Sequence, residues 1–321
     1  MVFGPCGGVR SDGGCEMAAM PCVFGTLESA PTASWPAAGP SRAKAPAPLV
    51  LTDLSVPPAD AVSLSAVARV LAPSCDAVLV GDHQDRPDFP PTMLARLLAD
   101  AGVHPWVTLA CRDRNRVVLE QELRGLRHDG LATVLCVTGD GRAFDVRTDV
   151  TQSFDLDGTR LAALASSFGL PVAVAETPTA PPVGLRPGRL VEKQRAGAGT
   201  AVLNHVRSAA RVADFLALAS RAGLTIPVVA SVAVYTDQRS AAVLTALPGL
   251  DLDTAIVGQV LMADDPVEAG IEAAVVEARA LLAVDGVTGV NLSGMASVRG
   301  TLFAAEVQAE VGHRIRAGAR R

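Results

Sequence analysis

Apolar strands and amphipathic helices alternate along most of this chain, and the alternation limits the folds that it can adopt. Short runs rich in Val, Leu and Ala are each followed by a stretch in which apolar residues recur every three or four positions. The predicted strands are residues 49–53, 77–81, 106–111, 133–137, 171–175, 201–204, 228–234 and 289–292. The predicted helices are residues 61–71, 91–101, 116–128, 159–168, 189–196, 209–222, 240–247, 267–282 and 298–316.

Eight strand–helix repeats predict an α/β protein, a (β/α)8 TIM barrel with a short N-terminal extension rich in Cys and Gly. The alternative is an open, doubly wound sheet. Such a sheet would normally carry a GxGxxG turn after its first strand, and the sequence LTDLSVPP contains none. The predominance of small aliphatic side chains also suits parallel strands that are covered on both faces. The barrel is therefore the predicted fold.

The sequence before the first strand divides into two segments. Residues 1–25 hold three cysteines among glycines and predict a cysteine-rich module, and the Ala/Pro/Ser-rich residues 26–48 predict a linker. Residues 49–321 form the predicted barrel domain. Three thiols within 17 residues predict a zinc site, or part of an iron–sulfur cluster, at Cys6, Cys15 and Cys22. No fourth ligand is evident nearby, and the alternative is a reduced segment that packs against the barrel.

Composition and charge exclude several classes of function. The net charge of −5 leaves no broad basic face for a nucleic acid. No apolar run approaches the roughly 20 residues that a membrane span requires. The N-terminus shows no basic start followed by an apolar stretch, so we expect a cytoplasmic protein without a membrane partner.

Polar residues follow most of the predicted strands. In a parallel barrel the carboxyl ends of all strands surround one mouth, where functional residues concentrate. The polar residues at these ends include Asp53, Asp82, Arg112, Asp113, Thr138, Gly139, Asp140, Glu176, Asn204 and Asn291. Neither an HxH or HExxH spacing nor a recognised Ser/His/Asp arrangement accompanies them, which disfavours a hydrolase. Asp140 is the best single candidate, because a carboxylate there can accept charge-assisted hydrogen bonds from a pterin or flavin edge. The alternative is an aspartate that only caps the turn before the next element.

One stretch carries a resemblance to a known family. Residues 111–140, CRDRNRVVLEQELRGLRHDGLATVLCVTGD, resemble the methylenetetrahydrofolate reductases, specifically the branch with CRDRN after one strand and TGD after the next. The resemblance implies reduction of 5,10-methylenetetrahydrofolate to 5-methyltetrahydrofolate by NAD(P)H, with FAD or FMN as the usual hydride carrier. The GPCGG start also resembles a cysteine-rich module that accompanies some members of the family.

The resemblance assigns roles to individual residues. It implies that Asp140 lies beside flavin and folate as a catalytic residue, and that Lys193 contacts the flavin. The alternative for Lys193 is a solvated lysine on the surface of a helix. Asn204 takes the place of a pterin-recognising glutamine, and Asn291 lies in a GVNLS-like last strand. The predicted cofactor-contacting residues are Thr108, Arg112, Asp113, Thr138, Gly139, Asp140, Glu176 and Lys193, and the predicted substrate-contacting residues are Asn204 and Asn291. The alternative for Arg112, Asp113 and Arg114 is a structural salt-bridge cluster.

The resemblance also breaks at several positions. Leu54 takes the place of the glutamate proposed as the general acid in the reductases, with Asp53 one residue earlier. Because successive residues of a strand face opposite sides, Asp53 is expected to point away from the place of that glutamate, and it is the weaker catalytic candidate. Thr108 replaces a flavin-adjacent histidine, and ETPTAPPVGLRPGR lacks the usual histidine segment.

These departures leave three hypotheses open. The first is the reductase itself, with flavin or by direct transfer from the nicotinamide. The second is a specialised relative that uses folate or flavin in one-carbon transfer, demethylation or a tailoring oxidation. The third is a non-catalytic folate-binding subunit, in a homo-oligomer or with a partner.

Overall fold

The chain folds into a closed eight-stranded barrel surrounded by helices. The computed structural model describes residues 2–4, 6, 9–15, 19–35, 48–83, 86–140, 148–246, 250–294 and 296–319. The strands are β1 (Leu49–Leu54), β2 (Ala77–Val80), β3 (Pro105–Ala110), β4 (Thr133–Val137), β5 (Val172–Glu176), β6 (Thr200–Leu203), β7 (Val228–Ala233) and β8 (Val287–Ser293). They are all parallel, each pairs with its sequence neighbour, and β8 closes on β1. The predicted (β/α)8 fold is confirmed.

Helices follow the strands in the predicted order. They are α1 (Ala61–Leu71), α2 (Pro91–Asp100), α3 (Arg116–Asp129), α4 (Gly158–Ser167), α5 (Arg186–Arg195), α6 (Ala209–Arg221), α7 (Gln238–Ala246), α8 (Thr254–Leu261), α9 (Pro266–Leu282) and α10 (Thr301–Ala319). Helix α3 begins where Asn115 accepts a hydrogen bond from the Val118 amide, and it ends at Gly130 with a φ of 65°. Asparagine before an amphipathic stretch and glycine after it are the usual sequence signals of such caps.

Three helices differ clearly from the prediction, and one of them is α10, which was predicted at residues 298–316 and spans Thr301–Ala319. Helix α5 begins at Arg186, three residues early, because Pro187 is favourable in a first helical turn. Helix α8 was not predicted, since its eight residues are too few for a clear period. Its start is fixed by Asp253, which accepts hydrogen bonds from the amides of Ala255 and Ile256.

Strand alternation separates two apolar layers. The barrel interior holds alternate residues such as Leu49, Leu51, Trp106 and Val229. The residues between them point outward and pack with the buried faces of the helices, as Val50 does. This parity decides which side chains at the strand ends face the mouth.

The described part of the N-terminal segment lies against the barrel. The amide of Val2 donates to Asp157 at the start of α4, with a distance of 3.1 Å. The amide of Ala33 and the indole Nε1 of Trp35 both donate to Glu192 of α5, at 2.7 and 2.6 Å. Part of the predicted linker is thus in contact with α5, while the division into module and barrel stays a prediction. Within the described residues, no helix is long and apolar enough to cross a membrane.

Candidate ligand site at the carboxyl ends of the strands

A cavity of about 280 Å³ lies at the carboxyl ends of β3 to β6. Its floor is apolar, with Leu135, Val137 and Ala175, and its walls are polar and charged. The structure brings together on its walls these residues proposed from the sequence: Thr108, Arg112, Thr138, Gly139, Asp140, Glu176, Lys193 and Asn204. An apolar floor with convergent polar groups is the usual make-up of a small-molecule site.

A second cavity of about 430 Å³ adjoins the first, because Asp82 and Thr108 line both. Asp113 lies on this second cavity rather than on the first, together with Phe89 and Arg114. The mouth therefore offers two adjoining spaces with different walls.

The TGD segment is held in place by hydrogen bonds to the Thr138 side chain and to the Asp140 backbone. The Thr138 hydroxyl accepts a hydrogen bond from the Gly158 amide at 2.9 Å. Gly139 has a φ of +87°, and a Cβ there would lie 3.0 Å from the Cβ of Arg112, so only glycine fits. The carbonyl of Asp140 accepts a hydrogen bond from Arg112 at 3.3 Å. Asp140 itself is exposed on the rim of the cavity. The turn chemistry of this segment therefore positions a carboxylate at the mouth.

Arg112, Asp113 and Arg114 form the salt-bridge cluster considered as the alternative. Arg112 is 2% exposed, pairs with Asp113 at 2.9 Å and donates to the carbonyl of His83 at 2.7 Å. Arg114 pairs with Asp82 at 2.5 Å. These contacts fix the β3–α3 loop, and the predicted contact of Arg112 and Asp113 with a cofactor stays a prediction.

Glu176 is the centre of a buried ion cluster that also contains Arg186, Arg189 and Lys193. Glu176 ends β5 on its outward-facing side, and the three cations come from α5. The distances to Glu176 are 3.3 Å from Arg186, 2.8 Å from Arg189 and 2.8 Å from Lys193. Lys193 also donates to the carbonyl of Ala175. One carboxylate therefore faces three cations, which leaves an excess of positive charge on this wall of the cavity.

The charges of the ion cluster shift the pKa values of its members. Burial alone would raise the pKa of Glu176, but Arg189, Lys193 and Arg186 outweigh burial and hold that pKa well below its ordinary value. Burial, followed by the charge of Arg189, lowers the pKa of Lys193 to about 7, against the attraction of Glu176. Lys193 is thus not the solvated helix lysine that was the alternative to a cofactor contact.

The arginines of the ion cluster were missed in the sequence, although a signal was present. Arg186, Arg189 and Lys193 are spaced by three and four residues, which places them on one face of a helix. The late predicted start of α5 concealed this spacing. The Nε atom of Arg189 is buried and has no hydrogen-bond partner among the described residues.

Asn204 lies on the wall between β5 and β6. Its side-chain amide donates to the hydroxyl of Thr177 at 2.9 Å. The next residue, His205, points away from the cavity and contacts Glu277 at 2.6 Å. Asn204 therefore faces the site while His205 belongs to the surrounding structure.

Asp53 and Leu54 face opposite sides of β1, as expected for neighbouring residues of a strand. Leu54 packs in the layer between strands and helices. Asp53 lies on the opposite face of β1, which points into the barrel like Leu49 and Leu51. Its carboxylate accepts a hydrogen bond from Asn291 of β8 at 2.9 Å. The pairing of β1 with β8 thus turns Asp53, and not Leu54, toward the barrel interior. A carboxylate is therefore present at the mouth on β1.

Asp53 and Asn291 form a polar pair on the β8–β1 side, and neither lines the cavity between β3 and β6. Burial raises the pKa of Asp53 to about 6, while hydrogen bonds from Asn291 and Ser293 oppose that rise. The side-chain oxygen of Asn291 is buried and has no partner among the described residues. Asn291 therefore keeps one buried acceptor oxygen beside the carboxyl group of Asp53.

The N-terminal cysteines do not form an evident metal centre. In the described part of the chain, no three or more His, Cys, Asp or Glu residues are grouped as a metal ion requires. Cys6 lines the main cavity, and Cys15 and Cys22 are partly exposed thiols. The zinc or iron–sulfur site stays a prediction without geometric support.

Comparisons with known proteins find similarity in structure alone. No protein-family model and no curated protein matches the sequence. The fold is similar to that of an uncharacterised Clostridium thermocellum protein that binds two copies of 5-methyl-5,6,7,8-tetrahydrofolic acid, with a TM-score of 0.58 and 13% identity over 84% of this chain and 95% of that one. It is also similar to the coenzyme F420-dependent tetrahydromethanopterin reductase of Methanopyrus kandleri, with a TM-score of 0.56 and 14% identity over 85% of this chain and 99% of that one. At these identities the similarity establishes the shared fold.

Proposed function

We propose that this barrel binds a reduced folate and reduces its one-carbon unit, converting 5,10-methylenetetrahydrofolate to 5-methyltetrahydrofolate with NAD(P)H. The observation that carries the proposal is the cavity that unites Asp140 with Asn204 and Lys193 around an apolar floor. The CRDRN–TGD resemblance supports it. Two proteins of the same fold, one a binder of a methylated folate and one a pterin reductase, support it further.

Ligand recognition follows from the chemistry of the cavity walls. The ionised carboxylate of Asp140 accepts hydrogen bonds from the ring N–H groups of a pterin, and Asn204 supplies an amide that both donates and accepts. The flat apolar floor of Leu135, Val137 and Ala175 suits the face of the ring. These groups orient the ligand without forming a covalent bond.

The reaction also needs a proton. When hydride reaches the methylene carbon, its bond to N10 has broken and N10 has gained a proton, while the carbon stays on N5 as a methyl group. Asp53, with a pKa raised to about 6, is the candidate donor, since that value keeps a useful protonated fraction near neutral pH. Asn291 orients the Asp53 carboxyl through its 2.9 Å hydrogen bond.

A flavin would be held on the cationic wall if one is used. The excess positive charge and the unpartnered Nε of Arg189 fit a group rich in carbonyl or phosphate oxygens. Thr138, Gly139 and Lys193 are the other residues that would hold it. Bound FAD or FMN would accept hydride from NAD(P)H and pass it to the folate. Direct hydride transfer from the nicotinamide remains the variant that is favoured by Thr108, which replaces the family's flavin-adjacent histidine.

The Asp140→Asn variant tests the proposal. Asparagine keeps the size but removes the charge, and it places a donor where an acceptor is needed. We expect 5-methyltetrahydrofolate to bind about tenfold or more weakly by titration calorimetry, corresponding to roughly 1.5–3 kcal/mol. The thermal midpoint should stay unchanged, because Asp140 is exposed on the rim.

The wild-type chain provides the control and the contrary outcome. It should oxidise NADH or NADPH only when methylenetetrahydrofolate is present, and added FAD or FMN tests the need for flavin. Folate binding without turnover under all these conditions would favour the non-catalytic subunit. A chain that neither binds folate nor turns it over would refute a folate function.

A further inference from the structure

We infer that the N-terminal segment is a fixed wall of the ligand cavity, and that Cys6 is a residue which a bound ligand covers. The inference does not depend on which ligand the cavity takes. It rests on three sets of contacts that join described residues of this segment to α5 and to the cavity.

The first contact holds Cys6 at the cavity. Arg186, which is completely buried, donates from Nη2 to the carbonyl of Cys6 at 2.9 Å. The same guanidinium binds Glu176 and the carbonyl of Ala180, so its position is set by the barrel itself. Cys6 then lines the cavity together with Lys193 and Asn204. The ion cluster therefore fixes the N-terminal segment as well as α5.

The second contact covers Arg189. Gly4 has a φ of +103°, and a Cβ there would lie 3.2 Å from the Cδ of Arg189 and 3.5 Å from its Nε. Arg189 is only 6% exposed, lines the cavity and keeps an Nε donor without a partner among the described residues. A buried donor of this kind on a cavity wall indicates a ligand that accepts from it. The backbone at Gly4 thus helps to cover the side chain of Arg189.

The third contact anchors the other end of the segment. Trp35 donates to Glu192, and its ring lies 4.9 Å from that of Phe3. Phe3 immediately precedes Gly4, so this ring pair joins both ends of the segment over α5. The charged partner Glu192 is 2% exposed and also accepts from the amide of Ala33. The segment is therefore held at three points rather than by its chain connection alone.

The Gly4→Ala variant, with Gly13→Ala as matched control, tests this wall. Both glycines have a positive φ, +103° and +81°, but an added Cβ meets Arg189 only at Gly4 and nothing within 4 Å at Gly13. In the full chain without ligand, we expect Gly4→Ala to raise the rate of Cys6 alkylation by iodoacetamide about fivefold or more. Gly13→Ala should change that rate by less than about twofold. The tryptic peptide of residues 1–10 contains Cys6 alone, so mass spectrometry reads this site directly.

A second variant and a ligand complete the experiment. Trp35→Phe keeps the ring next to Phe3 but removes the donor to Glu192, and it should raise Cys6 alkylation in the same direction. The probe 5-methyltetrahydrofolate should slow alkylation of wild-type Cys6 and bind Gly4→Ala about tenfold more weakly.

Equal alkylation rates in Gly4→Ala and Gly13→Ala would overturn the inference. Unchanged alkylation of Cys6 in wild-type chain saturated with the probe would overturn it as well. A wild-type chain that binds no 5-methyltetrahydrofolate would refute the proposed function alone, because the ligand-free comparison of the two glycine variants still decides whether the wall is held.

Discussion

At the scale of single residues, Asp53 is a buried carboxyl group near the carboxyl end of β1, and its proposed role as a proton donor depends on that burial. Its inward parity on β1 places a carboxylate under the mouth, and burial disfavours its charged form. Protonated Asp53 adds to the stability of the fold. This contribution is fully present below 3.8, the pKa of the unfolded chain, and is lost as pH rises through the folded pKa of about 6. The ionised carboxylate of Asp53 therefore lowers the stability of the fold above about pH 6.

The Asp53→Asn variant should separate stability from activity. Relative to wild type, its free energy of unfolding should increase between about pH 4 and pH 6 and level off at roughly 1–3 kcal/mol above that window. Turnover of methylenetetrahydrofolate should fall by about a hundredfold or more if Asp53 donates the proton. Urea unfolding at several pH values measures the first effect and steady-state kinetics the second.

The exposed pair of Asp100 with Arg96 offers a control for Asp53. Asp100→Asn should change stability by less than about 0.5 kcal/mol at every pH, because the pair lies in solvent. A stability difference for Asp53→Asn that does not vary with pH would contradict the assigned pKa.

At the scale of secondary-structure elements, α5 carries the charge pattern that organises the site. Its three cations on one face converge on the single carboxylate that ends β5. The pairing of a strand end with the following helix thus determines the electrostatics of one cavity wall, and the same helix holds the N-terminal segment.

The Glu176→Gln variant should destabilise the fold. It leaves Arg186, Arg189 and Lys193 buried without a counter-charge, which should cost about 3–5 kcal/mol in urea unfolding. Lys193→Met, which removes one of the excess cations, should cost less than about 1 kcal/mol. A small loss for Glu176→Gln would mean that solvent reaches the ion cluster.

Lys193 should make the stability of the folded state depend on pH in a definite direction. Because its folded pKa of about 7 lies below the unfolded value of 10.5, the unfolded chain binds more protons between these values. This group should therefore make the folded state more stable as pH rises from about 7 to 10, and Lys193→Met should remove that rise.

The sequence makes the Lys193 measurement simple. Only one other lysine, Lys44, is present, so lysine-selective NMR labelling should show two signals and report the Lys193 titration directly. An Nζ signal that titrates near 10.5 in both lysines would contradict the lowered pKa.

At the scale of the whole molecule, the last helix contacts both the first and the last strand where the barrel closes. Gln308 of α10 donates to the carbonyls of Asp53 on β1 and Leu292 on β8, at 3.1 and 3.2 Å. Gly312 of the same helix packs on the loop after α1, where an added Cβ would lie 2.6 Å from the carbonyl oxygen of Ser74. The last helix therefore fixes the seam on which Asp53 and Asn291 lie.

The Gly312→Ala variant should weaken this closure. Although alanine favours the helix by about 1 kcal/mol, the clash with Ser74 should produce a net loss of roughly 1–3 kcal/mol. The control is Gly318→Ala, whose Cβ would meet only the flexible end of Arg279 at 3.4 Å and should stabilise α10 by a few tenths of a kcal/mol or more. Thermal unfolding of both variants distinguishes the clash from helix propensity.

The sequence by itself determined the barrel and most of the candidate cavity. Periodicity depends on neighbours along the chain, so the order of elements, the Asn115 and Gly130 caps and the polar strand ends could be predicted. Residues such as Asp140, Lys193 and Asn204 follow consecutive strands, and parallel pairing brings those ends together. Short or proline-initiated helices were less certain, because a few residues carry too weak a period.

Tertiary structure decided the rest. The inward direction of Asp53 depends on how β1 pairs with β8, more than 200 residues away, and local spacing does not report that register. The ion cluster depends on β5 packing against α5, and the position of Cys6 depends on a backbone hydrogen bond to Arg186. Contacts between distant segments are set by packing and charge in three dimensions, and the sequence records only the residues that take part.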